Sequence, residues 1–203
     1  MQLSFWDERY SEPEGAYGKE PNEFLREQAH RLGDGARVLC LGEGEGRNAV
    51  WLAERGCQVV AVDASSVGLQ RTRELAAERG VSVETRLVDL ATFEPEPGAY
   101  DAAVCIFVHL RDGAREFMHE QAMRSLRVGG VFLAELFSKR QLSFESGGPK
   151  DPRMLYTVEA LQSDFASTGM ARVLMLEECE VELREGKYHR GRAAVIRVLM
   201  QRT

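Results

Sequence analysis

Residues 38–65 read "VLCLGEGEGRNAVWLAERGCQVVAVDAS" and contain the pattern that decides the fold. Two continuous apolar runs, "ARVLCLG" (36–42) and "QVVAVD" (58–63), are typical of strands that are buried on both faces. Between them, "RNAVWLAERG" (47–56) has helical periodicity and ends at Gly56, a residue type that commonly closes helices. A strand, a helix and a second strand at this spacing predict a βαβ unit, and therefore a parallel sheet.

The next part of the chain continues the alternation of helices and strands. We predict a helix at 67–80 and another at 113–128, which Asp112 caps and which ends at Gly129-Gly130. Residues 81–89 alternate like a strand, and two further strands are predicted at 102–108 and 131–138.

The C-terminal part has a different pattern. Thr157 is a predicted cap for the helix "VEALQSDFAST", and the runs at 171–183 and 191–200 then flank the turn "REGKYHR". This pattern predicts a closing antiparallel hairpin. The sequence therefore predicts one domain over residues 1–203, with a Rossmann-like, doubly wound α/β fold. Its mostly parallel seven-stranded sheet ends in a C-terminal antiparallel hairpin.

Composition limits the class of partner. The chain has 203 residues, with 44% hydrophobic and 29% charged, which is typical of one globular domain. A net charge of −6 disfavours a nucleic-acid surface, and no apolar run approaches the ~18 residues of a membrane span. The acidic N-terminus lacks the features of a signal peptide, and the cysteines, predicted to be reduced core thiols, form no CxxC pair. We expect a cytoplasmic monomer or homodimer with a small-molecule partner and no metal.

The carboxyl ends of the predicted parallel strands meet at one rim, where open α/β sheets bind ligands. The rim residues are Gly42 to Gly46, Asp63 with Ala64, Asp89 with Leu90, Phe107 to Leu110, and Phe137 onward.

Three features of the rim indicate an adenosine-containing ligand. Gly42, Gly44 and Gly46 form a loop that leads into the N-terminus of a helix, where free N–H groups favour an anionic group. Asp63 follows Gly42 by 21 positions, the spacing expected for an acid that hydrogen-bonds ribose. Asp89 is placed to accept from an exocyclic amine. The alternative is that the glycines only form a tight turn and the aspartates only cap helices.

The glycine spacing distinguishes between adenosine ligands. The dinucleotide pattern is G-x-G-x-x-G, whereas this loop is G-x-G-x-G, with Glu43 and Glu45 where a pyrophosphate would lie. A sulfonium ligand has no phosphate and is positively charged, so it tolerates these glutamates. Arg47 and Asn48, in the first turn of the helix, are then expected to hold its amino-acid carboxylate.

With these features the chain resembles class I S-adenosylmethionine-dependent methyltransferases. The segments "AYGKEPNEFL", "LGEGEGRNAVWLA", "GGPKDPRMLYT" and "EGKYHRGRAAVIRVL" are similar to the bacterial branch that contains the tellurite-resistance methyltransferases. The resemblance implies that the strand-two acid holds ribose, that the strand-three acid holds adenine and that residues 1–34 cover the cofactor. The chain departs from the class at Cys40, where an acid is usual; Glu43 or Glu45 is expected to compensate.

The N-terminal segment is expected to contain a helix from Pro21 to about Leu32. Tyr17, which precedes it, is predicted either to cover the sulfonium, because aromatic faces attract cations, or to pack the first helix onto the domain. Phe5 and Trp6 are interpreted as packing residues.

Methyl transfer from a sulfonium depends mainly on in-line placement of the acceptor, with a base where the acceptor is neutral. His189 and Arg190 match a histidine–arginine pair that the resemblance associates with substrate, although a solvated hairpin turn is the alternative. His109 is predicted either to transfer protons or to pack beneath the cofactor. The rim loop and hairpin supply the predicted substrate contacts, which are Lys150, Arg153, Tyr156 and Arg192; a plain connecting loop is the alternative for the first three.

The sequence therefore predicts an S-adenosylmethionine-dependent methyltransferase that releases S-adenosylhomocysteine. Its acceptor is expected to be small, as a tellurite-like or selenite-like oxyanion or a thiol. The alternatives are a nicotinamide-dependent oxidoreductase and a non-catalytic module that binds S-adenosylmethionine.

Overall fold

The computed structural model describes residues 2–111 and 113–203, so the predicted cap Asp112 lies outside the described residues. The α-helices are α1 (Gln2–Tyr10), α2 (Glu23–Gln28), α3 (Arg47–Glu54), α4 (Ser66–Glu78), α5 (Ala114–Ser125) and α6 (Val158–Ser167). The strands are β1 (Arg37–Leu41), β2 (Gln58–Asp63), β3 (Glu84–Leu87), β4 (Tyr100–Ile106), β5 (Leu126–Phe137), β6 (Ala171–Glu185) and β7 (His189–Arg202).

The strands form one seven-stranded sheet in the order β3-β2-β1-β4-β5-β7-β6. The first five are parallel, and β7 runs antiparallel to both β5 and β6. The order reverses between β1 and β4, which places a ligand crevice at the carboxyl ends of these two strands. The predicted Rossmann-like α/β fold with a C-terminal antiparallel hairpin is confirmed.

Both faces of the sheet are buried at the central strands, as their continuous apolar sequences require, whereas the edge strands β3 and β6 are largely exposed. Leu39 and Leu41 of β1 point into one hydrophobic cluster, which contains Phe132 and Phe165. Val38 and Cys40 point into the cluster on the other face, with Phe24. In the described residues no helix is long and apolar enough to span a bilayer.

The boundary between α5 and β5 differs from the prediction. The helix ends at Ser125, and Leu126 is already paired with Tyr100 of β4. Gly129 and Gly130 therefore lie inside β5, beside a register irregularity, rather than at the end of a helix. The local pattern "RSLRV" suits a helix, and pairing with β4 overrides it.

The hairpin turn and the N-terminal segment also differ from the prediction. Strands β6 and β7 extend to Glu185 and from His189, so the turn is only three residues long. Helix α2 begins at Glu23 instead of Pro21, because the Asn22 side chain caps it by accepting from Leu25 N (3.0 Å). Helix α1 was not predicted.

Candidate active site

A cavity of about 670 Å³ opens at the carboxyl ends of β1, β2 and β4 and extends to the C-terminal hairpin. Its size is within the range of small-molecule sites. Thirteen of the predicted site residues line it: Tyr17, Gly42, Glu43, Arg47, Asn48, Asp63, Ala64, Asp89, Leu90, Phe107, His109, Lys150 and His189.

The three loop glycines all have positive φ, and each permits a close approach by another part of the protein. A β-carbon at Gly42 would lie 2.5 Å from the Val108 side chain, and one at Gly44 would lie 2.5 Å from the Tyr10 hydroxyl. A β-carbon at Gly46 would lie 2.8 Å from Thr72 Cα. Gly44 and Gly46 are not among the cavity-lining residues, so the contacts shown for them are with Tyr10 and α4 instead of with a ligand.

Glu43 caps the helix that follows the loop. Its Oε1 accepts hydrogen bonds from Asn48 N (2.9 Å) and Ala49 N (2.8 Å). Burial raises the pKa of this carboxyl to about 7. The helix N-terminus that was expected to hold a ligand anion is therefore already occupied, at these two N–H groups, by the protein's own carboxylate.

Glu45 fixes the N-terminal segment to the loop. Its Oε2 accepts from Ala16 N (2.8 Å) and Tyr17 N (3.2 Å), and its Oε1 lies 3.4 Å from the Arg71 guanidinium. The two glutamates between the glycines thus have structural partners, in addition to making the loop unsuitable for a pyrophosphate.

The predicted ribose and adenine acids occupy neighbouring strand ends. Asp63 accepts from Gly44 N and Ser65 N, both at 2.8 Å, and it is nearly buried against the cavity, where burial raises its pKa. Asp89 is exposed and accepts from Ala91 N (2.9 Å). Each carboxylate keeps further acceptor sites, so both are able to accept from a ligand.

The N-terminal segment lies over this end of the cavity. Ser65 Oγ donates to Asp7 Oδ1 (2.6 Å), and Tyr10 packs into the space left by Gly44 and Gly68. Phe5, Trp6 and Arg9 of α1 line the cavity.

The same segment is fastened to the hairpin turn. Lys187 N donates to the Ala16 carbonyl (3.1 Å), and Lys187 Nζ lies 2.7 Å from Glu12 Oε2. A β-carbon at Gly186 would lie 2.6 Å from Tyr17 Cα. The turn and the segment therefore close the cavity together.

The far end of the cavity has an aromatic wall. Phe107 stacks on Phe137 with ring centroids 4.5 Å apart and meets the His189 ring edge-on at 4.6 Å. Tyr17 lies 4.5 Å from the same imidazole. Phe107 has a φ of +54°, a strained value for a non-glycine residue that is common at functional sites.

His109 belongs to this wall, and both its ring nitrogens bond to backbone. Nδ1 donates to the Met154 carbonyl (2.8 Å), while Nε2 accepts from Phe137 N (3.3 Å). Burial lowers the pKa of the imidazole to about 4. The geometry favours the packing role for His109 over proton transfer.

Tyr156 does not line the cavity, contrary to its predicted substrate role. It is fully buried, donates to the Val108 carbonyl (3.1 Å) and accepts from Leu110 N (3.0 Å). These two hydrogen bonds hold the loop after β4 in place.

The predicted basic contacts separate into two groups. His189 is buried and faces the cavity, whereas its neighbour Arg190 is exposed on the opposite face of β7. Arg192 pairs with Glu180 and does not line the cavity, and Arg153, which does not line it either, pairs with the lining residue Asp151. The structure therefore does not place Arg190, Arg192 or Arg153 at the cavity, contrary to their predicted roles. Arg190 and Arg192 face away from it because successive residues of a strand alternate in direction, whereas Arg153 lies in a short helix after β5 and is held by Asp151. Lys150 alone of these cations lines the cavity.

Sequence reasoning missed several residues of the site. Glu185 lies opposite His189 in the hairpin, with its Oε2 3.7 Å from His189 Nδ1. Arg9, Tyr10 and Tyr188 line the cavity itself, whereas Glu185 lies behind His189 and does not line it. A prediction that started β7 at His189 instead of Gly191 would have placed Glu185 opposite His189 and revealed that contact.

Comparison with known proteins shows what the chain is similar to. Residues 38–130 match the family model described as a methyltransferase domain. The segment extends from β1 into β5 and contains the glycine loop and both rim aspartates. The matched segment covers less than half of the chain, and together with the fold it makes the chain similar to class I S-adenosylmethionine-dependent methyltransferases.

Two curated relatives are similar over larger parts of the chain. A sarcosine/dimethylglycine N-methyltransferase from Halorhodospira halochloris is 35% identical, over 52% of this chain and 39% of the relative. A 2-heptyl-1-hydroxyquinolin-4(1H)-one methyltransferase from Mycobacteroides abscessus is 29% identical, over 68% of this chain and 61% of the relative. The chain thus spans less than two thirds of either relative. Matches to RNA methyltransferases cover between 27% and 38% of the chain.

Solved structures share the fold at low sequence identity. A structure reported for the conversion of a disulfide bond into a thioacetal group during echinomycin biosynthesis has a TM-score of 0.77 at 17% identity, covering 100% of this chain and 92% of that one. TehB from Haemophilus influenzae has a TM-score of 0.68 at 20% identity, covering 87% of this chain and 60% of that one.

Proposed function

We propose that this chain is an S-adenosylmethionine-dependent methyltransferase that methylates a small acceptor and releases S-adenosylhomocysteine. One observation carries the proposal: a single cavity joins the acid-lined strand ends to an aromatic end that contains a buried histidine. The first end suits an adenosine sulfonium, and the second suits an acceptor placed against it.

The residues present fit the cofactor. Asp63 and Asp89 offer carboxylate oxygens at the expected ribose and adenine positions, and Tyr17 offers an aromatic face that suits a cationic sulfur. Arg47 lines the same end and is the proposed contact for the amino-acid carboxylate. S-adenosylmethionine supplies an electrophilic methyl group when bound, so the protein has to place the acceptor, exclude water and, where the acceptor is neutral, take its proton.

The acceptor end favours a neutral, partly apolar acceptor over a free oxyanion. Arg190, Arg192 and Arg153 do not line the cavity, which leaves Lys150 as the predicted substrate-binding cation that does, and Phe107 and Phe137 form the wall. An oxyanion needs donors or cations to replace its hydration shell, and the aromatic wall offers none. Of the acceptors predicted from sequence we therefore propose the thiol, and we add a hydroxyl on a planar apolar body, as in the hydroxyquinolone that names one relative.

Binding and turnover assays test this proposal. Calorimetry should show binding of S-adenosylmethionine and S-adenosylhomocysteine but not NAD, and Asp63→Ala should weaken that binding more than the exposed Asp34→Ala does. Release of S-adenosylhomocysteine should then be measured with small thiols, phenols, hydroxyquinolines, tellurite and selenite. Binding of NAD alone would contradict the proposal, and cofactor binding without turnover on any acceptor would favour the non-catalytic module.

A further inference from the structure

We infer that Glu185 is a positioning residue for methyl transfer, which holds His189 with Nδ1 protonated so that Nε2 takes the proton of a neutral acceptor. This inference rests on the proposed function and narrows its substrate class to acceptors that lose a proton during the reaction.

Glu185 is held by a network that fixes its carboxylate. Its Oε2 accepts from the Arg47 guanidinium (2.6 Å) and its Oε1 from Asn22 Nδ2 (2.9 Å). Asn22 Nδ2 also donates to the buried Glu135 (2.7 Å), which in turn accepts from Arg197 (3.0 Å). Residues from α3, β5, β7 and the segment before α2 thus form the network that orients the Glu185 carboxylate at the end of β6.

His189 lies directly across the hairpin from this carboxylate. Among the described residues its buried Nδ1 has no hydrogen-bond partner, and the carboxylate oxygen beside it is Glu185 Oε2, at 3.7 Å. A buried polar atom without a partner is costly, so we infer that a small shift of the ring brings a protonated Nδ1 into hydrogen-bond distance of Glu185. An imidazole N–H beside a carboxylate leaves the other nitrogen, Nε2, as the acceptor.

The surrounding charges support this protonation state. Burial lowers the pKa of His189, so the ring is neutral at pH 7. Burial alone would raise the pKa of Glu185, but its interactions with His189 and Arg47 outweigh that effect and lower it to about 2. The titratable and charged groups that face the imidazole from the packed elements are Arg9, Tyr17, Arg47, His109 and Glu185.

The proton transfer fits the overall reaction. The acceptor atom, a hydroxyl oxygen or a thiol sulfur, forms a bond to the methyl carbon while its proton moves to His189 Nε2. The carbon–sulfur bond of the donor breaks with its electron pair on sulfur, giving S-adenosylhomocysteine. His189 then releases the proton to solvent. Glu185 stabilises the transient imidazolium, whereas an acceptor that is already ionised has no proton to give.

Glu185→Gln tests the inference at saturating S-adenosylmethionine, so that changes in cofactor affinity do not enter. With a thiol or phenol of high pKa, we expect kcat to fall about 10- to 100-fold. The acidic limb of the kcat/KM profile should move to lower pH, because the imidazolium loses its partner. With a phenol or thiol that is ionised at the assay pH, the loss should shrink to within about threefold. The matched control is Glu182→Gln, an exposed change on the same strand, which should leave all three values unchanged.

A double-mutant cycle separates positioning from folding. In a His189→Ala background, Glu185→Gln should cause little further loss, because both changes remove the same function. Equal, additive losses with ionised and protonated acceptors would overturn the inference. If Glu185→Gln does not fold, ¹⁵N NMR of the unmodified protein identifies which nitrogen of His189 carries the proton. Protonation on Nδ1 supports the inference, and protonation on Nε2 contradicts it. These results leave the proposed function standing, since that fails only if no acceptor is methylated.

Discussion

Tyr10 of α1 lies directly against Gly44 of the glycine loop, so that a β-carbon at Gly44 would be 2.5 Å from the Tyr10 hydroxyl oxygen. The same ring fills the space beside Gly68 on α4. The loop glycine is therefore needed for a contact within the protein, and this contact holds α1 over the cavity.

Gly44→Ala should destabilise the protein and weaken binding of S-adenosylmethionine. An alanine there adopts a positive φ, which costs about 1–2 kcal/mol, and also displaces the buried Tyr10, at about 1–3 kcal/mol more. Gly33→Ala is the control, since Gly33 also has a positive φ but nothing within 4 Å of a β-carbon. Urea unfolding and calorimetry check both variants. Equal losses of stability in both would mean that Tyr10 moves aside freely.

Glu43→Gln should flatten the dependence of stability on pH. The folded pKa of Glu43 is raised to about 7, so its contribution to stability is fully present below about pH 4.5 and is lost as the pH rises through 7. The difference corresponds to roughly 3 kcal/mol. Glutamine keeps an oxygen for Asn48 N and Ala49 N but carries no charge, so we expect a larger stability gain at pH 8 than at pH 5. Chemical unfolding at both values checks this, with the exposed Glu120→Gln as control; parallel shifts at both pH values would contradict it.

His109→Phe should lower stability more than catalysis. The variant keeps a ring against Phe137 but leaves Met154 O and Phe137 N without their partners, at about 1–3 kcal/mol each. We expect kcat to fall less than about tenfold at a temperature where the variant is folded. A far larger loss of kcat with unchanged stability would restore the proton-transfer role.

His189→Ala and Arg190→Ala should differ although the residues are adjacent. His189 faces the cavity and Arg190 faces outward, so we expect kcat losses of about 10²–10⁴ for the first and less than about twofold for the second. Calorimetry should show near-normal S-adenosylmethionine affinity for Arg190→Ala. A comparable loss of kcat in both variants would show that Arg190 reaches the acceptor.

Much of the fold was predictable because its signals are local. The strand predicted at 58–63 has the observed bounds Gln58–Asp63, and Thr157 caps α6 as expected. The errors occur where distant pairing decides. "QLSFWDERY" is a helix that packs through Tyr10 against the glycine loop and α4, and the strand character of Leu126 depends on Tyr100.

The site was predictable to the level of strand ends but not of side-chain direction. Topology alone brings Asp63 and Asp89 to one rim. The predicted strand began at Gly191 and left His189 and Arg190 in the turn; because β7 in fact begins at His189, these two neighbours belong to the strand and face opposite sides of it. The partners of Glu43 and Glu45 involve choices among several backbone N–H groups, which only the folded structure decides.

The contacts between the N-terminal segment and the hairpin turn have a consequence for folding during synthesis. Glu12 and Lys187 are 175 positions apart, so this contact forms only when nearly the whole chain is available. Contacts this distant in sequence slow folding. During synthesis the cavity therefore remains without its cover until the last hairpin emerges, and we expect a chain that stops before the turn to lack a closed binding site.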